Sequence, residues 1–241
     1  MKRIDGRAFD ELRPVNITLG FQGFAEGSAL IEMGKTRVLC SASVEDRVPN
    51  FLKGSGTGWV TAEYAMLPRA AATRSPRESA LGRVGGRSQE IQRFIGRSLR
   101  AVADLAVLGE RTIILDCDVL QADGGTRTAA VTGAYIALHK AMETLVNMGI
   151  VRSIPLKSAL AAVSVGIVHN TMLLDLCYDE DSNAAVDFNV VKTGKGEFAE
   201  IQGTAEGKTF SRETIDSLIS LADKGINRLF QIQQEVLSRP S

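Results

Sequence analysis

Twice along this chain a run of short strand-like segments closes with one long helix, and that recurrence limits the possible folds more than any single motif does. In the first half, Val15–Leu19, Ala29–Met33, Val38–Val44 and Trp59–Met66 alternate apolar with polar residues or carry β-branched ones, with Gly20, Gly23, Gly27 and Gly34 between them. They predict an antiparallel meander. A helix follows, with Ile91, Phe94, Ile95, Val102 and Leu105 on one face and Arg93, Arg97 and Arg100 on the other. Thr112–Leu120 then reads as a buried strand interrupted by Asp116 and Asp118, and a long apolar helix runs on to about Met148 through Val131, Ala134, Tyr135, Leu138, Met142 and Leu145. In the second half, Leu160–Val168, Met172–Cys177, Ala184–Val191 and Phe198–Thr204 are strand candidates, and the amphipathic stretch Glu213–Leu237 closes the chain. The expectation is an α+β fold of two related modules, residues 1–150 and 151–241, packed as one compact domain. The turn around Val151–Pro155 is the best boundary between them.

Several classes are excluded early. The chain has 241 residues, 44% of them hydrophobic and 23% charged, which is ordinary globular composition rather than that of a disordered or fibrous protein. Its longest nearly apolar run, Ala159 to Val168, is half the roughly 20 residues a membrane span needs. The charged N-terminus lacks the apolar stretch of a secretory signal, so a cytoplasmic location is expected. Cys40, Cys117 and Cys177 are odd in number and far apart, which predicts buried thiols rather than a zinc or redox site. His139 and His169 are also distant from each other, so histidine-based catalysis is not expected.

The formal net charge of zero hides two opposed poles. From Arg69 to Arg100 there are eight arginines, no lysine, and only Glu78 and Glu90 against them, a local net charge of +6. Guanidinium forks match phosphate oxygens in pairs, so phosphate contacts are favoured over a merely solvated surface. The stretch from Asp175 to Asp187 holds Asp175, Asp179, Glu180, Asp181 and Asp187 without a base. Asp181 and Asp187 flank a short turn, where two carboxylates either share a hard divalent cation or simply face water.

Asp123-Gly-Gly-Thr-Arg-Thr128 joins a strand to the long helix. Its glycines permit a sharp turn, and the helix start offers unpaired N–H groups and a positive dipole end to an anion. Plain helix capping accounts for such a turn equally well. Familiar nucleotide motifs are absent. Gly34-Lys35-Thr36 has Ala29 where a P-loop needs its first glycine and reads as a hairpin turn, and no dinucleotide fingerprint occurs. Residue types and spacing therefore support phosphoryl chemistry by charge neutralisation, without separating a nuclease from a phosphate-binding transferase.

A family resemblance narrows this. Asp5-Gly-Arg7 with Leu12-Arg-Pro14, Glu63-Tyr-Ala-Met-Leu-Pro-Arg69, Gly85-Gly-Arg87, Glu90-Ile-Gln-Arg93, Asp116–Thr128, Leu174-Asp-Leu-Cys-Tyr178 and Gln202-Gly-Thr-Ala-Glu-Gly207 resemble the ribonuclease PH family, in order and over nearly the whole chain. The resemblance implies two βαβα-like modules, as in the phosphorolytic subunits of exosomes. It implies a phosphorolytic 3′→5′ exoribonuclease, or tRNA nucleotidyltransferase, that uses inorganic phosphate to release nucleoside diphosphates reversibly from tRNA precursors and other RNA 3′ ends. By the same resemblance Arg87, Gly125, Thr126 and Arg127 hold phosphate, and Asp181 and Asp187 hold Mg²⁺, or Mn²⁺, as the catalytic pair. The resemblance also implies that Arg69, Arg74, Arg77 and Arg93 guide RNA, where the alternative is contact with a neighbouring subunit, and that the assembly is a homohexamer built as a trimer of dimers. DNA and membranes are not expected partners. The rival expectation is a non-catalytic RNA-binding ring subunit of the same fold, which predicts a lost acid pair or a lost Thr-Arg turn.

Overall fold

A computed structural model describes residues 3–207 and 209–239; Met1 and Lys2, part of the charged N-terminus read above, lie outside them. Strands β1 (Val15–Leu19), β2 (Gly27–Met33) and β3 (Thr36–Glu45) form the expected antiparallel meander. The next strand departs from it. β4 (Trp59–Met66) lies at the sheet edge, parallel to β5 (Thr112–Gln121), in the order β1-β2-β3-β5-β4. Between them the chain makes helix α1 (Gly86–Val102) and the single turn α2 (Leu105–Leu108). A helical crossover of this length brings the chain back in the same direction, so the two strands it joins are parallel. The predicted first helix also ends early. The chain turns extended at Ala103, and Leu105 belongs to α2, whose start Asp104 caps by accepting the Val107 N–H.

The long apolar helix is α3 (Thr126–Asn147), and it is buried along most of its length. Its contacts explain why it is apolar all round: β2 and β3 pack on one side, and β6 (Leu160–Val168) and β8 (Val186–Thr193) on the other. The second sheet is wholly antiparallel, in the order β7-β6-β8-β9, with β7 spanning Thr171–Leu174 and β9 spanning Phe198–Ala205. Only the first module therefore contains a parallel crossover. In the second, α4 (Tyr178–Asp181) is a single turn. β7 stops before the predicted Cys177 because Asp175 adopts φ 53°, a left-handed conformation that Asp tolerates and a strand does not. Helix α5 (Arg212–Leu237) covers the second sheet with Leu218, Leu221, Ala222, Ile226, Leu229 and Val236. Ser211 caps it by accepting the Thr214 N–H. Among the described residues, no helix is long and apolar enough to cross a membrane.

The remaining expectations divide as follows. Cys40 and Cys117 are buried opposite one another on β3 and β5, Cys177 is half-buried, and all three are free thiols. His139 is half-buried on α3, and burial pushes its imidazole pKa down, so it stays neutral near pH 7. His169 forms the tight turn between β6 and β7 at φ 47°. The Gly34–Thr36 segment is a hairpin turn, as read.

The seat of α3 on the first sheet depends on backbone contact. A Cβ on Gly27 would stand 2.2 Å from the Ala137 carbonyl oxygen and 2.4 Å from the Ala141 nitrogen, both in the helix backbone. Gly27→Ala must push the helix off β2 and is expected to cost about 1–3 kcal/mol or more in urea unfolding. Gly86→Ala, with open space around its Cβ, is expected to be neutral or slightly stabilising in the same titration.

Candidate active site

One pocket of about 540 Å³ gathers Arg87, Asp123, Gly124, Gly125, Thr126, Arg127, Asp181 and Asp187, together with Met66, Tyr178 and Asn189. Each comes from a different part of the fold. Arg87 stands in the first turn of α1, Thr126 and Arg127 in the first turn of α3, Asp181 at the end of α4 and Asp187 on β8. Arg87 of the cationic stretch thus meets Asp181 and Asp187 of the acidic one across the junction of the two modules.

The α3 start has a geometry suited to an anion. Gly124 and Gly125 take φ 72° and 63°, and no side chain caps the helix. A Cβ on Gly124 would lie 2.4 Å from the Leu176 carbonyl oxygen, so this turn touches the backbone leading into α4. The first N–H groups of the helix are left to a ligand. Thr126 Oγ1 accepts a hydrogen bond from the buried Tyr64 hydroxyl at 2.8 Å. Arg127 is held through Nη1 by Glu90 at 3.1 Å and by Gln202 at 2.6 Å, contacts that join α1, α3 and β9.

The acidic run separates into two kinds of group. Asp175 and Glu180 are buried and paired with arginines of the N-terminal segment. Arg13 reaches both Asp175 oxygens, at 2.7 and 3.0 Å, and Arg3 reaches both Glu180 oxygens, at 2.7 and 2.8 Å. Arg7 lies 3.6 Å from Asp175 and 3.8 Å from Glu180. The expectation of an acidic stretch without bases holds along the sequence and fails in space. Asp181 and Asp187 are different, having no ion pair among the described residues. Asp187 accepts a hydrogen bond from Thr204. The Asp181 pKa is pushed up, first by desolvation and then by the charge of Asp187, while Arg87, Arg127 and Arg13 pull it down. A carboxylate that senses all of these shares one electrostatic site with them.

Arg13 does more than neutralise Asp175. Its guanidinium donates to the carbonyls of Asp123 and Gly124, and Thr36 Oγ1 donates to the Gly124 carbonyl at 2.7 Å while accepting the Asp123 N–H at 3.0 Å. The glycine turn is therefore clamped from below. Sequence reading missed this role of Arg3, Arg7, Arg13 and Thr36, because partners 87 to 177 residues away leave no local pattern.

The arginine-rich stretch is less uniform than its composition suggests. Arg69, Arg74, Arg77 and Arg93 are exposed, and none of them lines the pocket, although the neighbouring Ala71, Ala72 and Thr73 do. Arg69 donates to the Ala72 carbonyl at 2.8 Å. Two others serve the fold. Arg97 pairs with Glu200 of β9, and Arg100 lies 4.2 Å over the Trp59 ring while donating to the Val60 carbonyl. Asp116 and Asp118 sit half-buried on β5, away from the pocket lining; Asp123 lines it and accepts the Tyr178 N–H at 3.3 Å.

For a divalent metal, Asp181 and Asp187 offer hard oxygen ligands that no cation pairs with among the described residues. Among the described residues, no group of three or more His, Cys, Asp or Glu side chains could hold an ion. Two carboxylates fit Mg²⁺, which keeps several waters and takes further oxygens from a phosphate ligand.

Known proteins resemble this chain over its whole length. Residues 11–142 match domain 1 of the 3′ exoribonuclease family, and residues 158–225 match its domain 2. Ribonuclease PH of Dehalococcoides mccartyi is 62% identical over 240 residues, covering 100% of both chains. The protein of the same name from another strain is 61% identical over 236 residues, covering 98% of both. Among solved structures, rice (Oryza sativa) Rrp46 superposes with a TM-score of 0.80 at 20% identity, covering 98% of this chain and all of its own. The Archaeoglobus fulgidus exosome with RNA bound to its active site gives 0.81 at 23% identity, covering 98% and 92%.

Asp175→Asn removes the counter-charge from a guanidinium that stays buried, and is expected to cost about 3–5 kcal/mol in urea unfolding. Asp181→Asn, at a carboxylate without an ion pair, is expected to change the same quantity by less than about 0.5 kcal/mol.

Proposed function

The chain belongs to the ribonuclease PH family of phosphorolytic 3′→5′ exoribonucleases, and from that premise we propose how its own residues divide the reaction. Inorganic phosphate sits at the α3 start, on the free N–H groups of the Gly125–Arg127 turn, the Thr126 hydroxyl, and the guanidinium groups of Arg127 and Arg87. The helix N–H groups, Thr126 and Arg127 are held before the anion arrives, the last two by Tyr64 and by Glu90 and Gln202, so phosphate is aimed with little reorganisation. One of its oxygens forms a bond to the phosphorus of the last phosphodiester, and the bond from that phosphorus to O3′ of the preceding nucleotide breaks. The proton of hydrogen phosphate ends on O3′, so the products are a nucleoside diphosphate and RNA shortened by one residue with a free 3′ hydroxyl. Atoms and charge balance without a general base, in keeping with the absence of histidine from the pocket lining. The exchange of a phosphodiester for a phosphoanhydride is reversible.

Asp181 and Asp187 would hold Mg²⁺, or Mn²⁺, which supplies positive charge to the scissile phosphate. Arg69, Arg74, Arg77 and Arg93 would guide the RNA backbone toward the pocket from the loop and helix beside it. The physiological substrates proposed are tRNA precursors and rRNA 3′ ends, in the cytoplasm. The proposed assembly is a homohexamer, a trimer of dimers, and the exposed Phe9, Phe21, Phe24 and Phe51 are the kind of surface that an assembly covers. The observation that carries the reading is the single pocket in which Arg87, the Gly125–Arg127 turn, Asp181 and Asp187 meet.

The test is a short 3′-tailed RNA incubated with the protein and Mg²⁺, with and without inorganic phosphate. Nucleoside diphosphate is expected only when phosphate is present, and none after chelation of the metal. Monophosphate in both tubes would mean hydrolysis instead. Asp187→Asn is expected to abolish turnover while leaving RNA binding nearly intact. Arg127→Ala is expected to raise the phosphate KM by about 10- to 100-fold, the range for loss of a charged hydrogen-bonding group. Light scattering is expected to give the mass of six chains.

A further inference from the structure

Of the Glu63–Arg69 stretch, the chemistry above uses only Arg69. Tyr64 is the third inward-facing residue of β4, after Val60 and Ala62, and is 2% exposed. Its hydroxyl lies 2.8 Å from Thr126 Oγ1, and no other polar partner meets it among the described residues. Two donor arrangements can be drawn for this pair of hydroxyls. If Thr126 donated, the phenolic proton would be buried without an acceptor, a condition that folded proteins avoid. Tyr64 is therefore the donor. Burial pushes its pKa up even though Arg87 and Arg127 pull the other way, so the phenol keeps its proton at neutral pH.

The consequence falls on Thr126. A hydroxyl carries one proton and can serve as donor or acceptor. With its oxygen engaged by Tyr64, Thr126 has its own proton left, no acceptor for it among the described residues, and the pocket in front of it. We propose that Tyr64 is a positioning residue for the attacking phosphate: it commits the Thr126 hydroxyl to donating into the pocket, toward an oxyanion. The proposal rests on the placement of phosphate at the Gly125–Arg127 turn. It gives the α3 start a side-chain donor whose direction is set beneath the helix, beside backbone N–H groups whose direction is set by the helix itself.

The experiment is a double-mutant cycle in which the phosphate KM and the RNA KM are both measured for the full-length enzyme. Tyr64→Phe keeps the ring that fills the space under α3 and removes only the donor. It is expected to raise the phosphate KM about fivefold to tenfold, with the RNA KM unchanged. Thr126→Val is expected to raise the phosphate KM at least as much. In the Thr126→Val background, Tyr64→Phe is expected to add nothing, while in the Thr126→Ser background, which keeps the hydroxyl, its effect is expected to return. A general loosening of the fold would instead multiply the two effects and move the RNA KM as well, and that result overturns the proposal. So does a phosphate KM unchanged by Tyr64→Phe while Thr126→Val raises it, an outcome that leaves the phosphate seat standing. A Thr126→Val enzyme with the wild-type phosphate KM removes the seat itself, and the proposal with it.

Discussion

The site depends on a guanidinium buried between two modules. Arg13 satisfies the buried Asp175 through two nitrogens and also donates to the half-buried carbonyls of Asp123 and Gly124. Neither partner is tolerable there alone, because an unpaired charge in the interior costs far more than the pair contributes. The arrangement therefore exists as a unit or not at all. Around it, Thr36 closes the glycine turn, Arg3 and Arg7 draw in Glu180, and the Gly124 backbone lies against Leu176–Tyr178. The α3 start that follows one sheet and the carboxylate pair of the other are thereby held in register.

This division of labour explains why a chain with equal numbers of acids and bases can run chemistry that needs strong fields. Charges that would cancel the site are consumed elsewhere in the fold. Arg97 goes to Glu200, Arg100 to Trp59, and Asp175 and Glu180 to the N-terminal arginines. Those left facing the pocket, Arg87, Asp181 and Asp187 together with Arg127, which Glu90 holds, are opposed groups at one small cavity.

Much of this was legible in the sequence, and the exceptions share a cause. The strands, the apolar α3 and the amphipathic α5 announce themselves by period, because each buries a defined face. The Asp123–Thr128 turn and the Asp181/Asp187 pair are short-range patterns, and the structure brings them together. Non-local features were hidden. The parallel seat of β4 depends on the crossover that follows it, not on its own residues. Asp175 and Glu180 look like Asp181 until their partners, more than 160 residues upstream, are located. Tyr64 reads as one more inward residue of a strand, and only its neighbour across the fold shows that its hydroxyl has a task.

The spacing of the Arg13–Asp175 and Arg3–Glu180 pairs has a consequence for biosynthesis. The arginines emerge from the ribosome first, and their acids follow 162 and 177 residues later. Until then Arg13 and Arg3 lack their counter-charges and the carboxylate pair has not been made. Contacts so distant along the chain close late, after local helices and hairpins have formed. The pocket, which draws residues from Met66 to Asn189, is therefore assembled only once both modules have been synthesised.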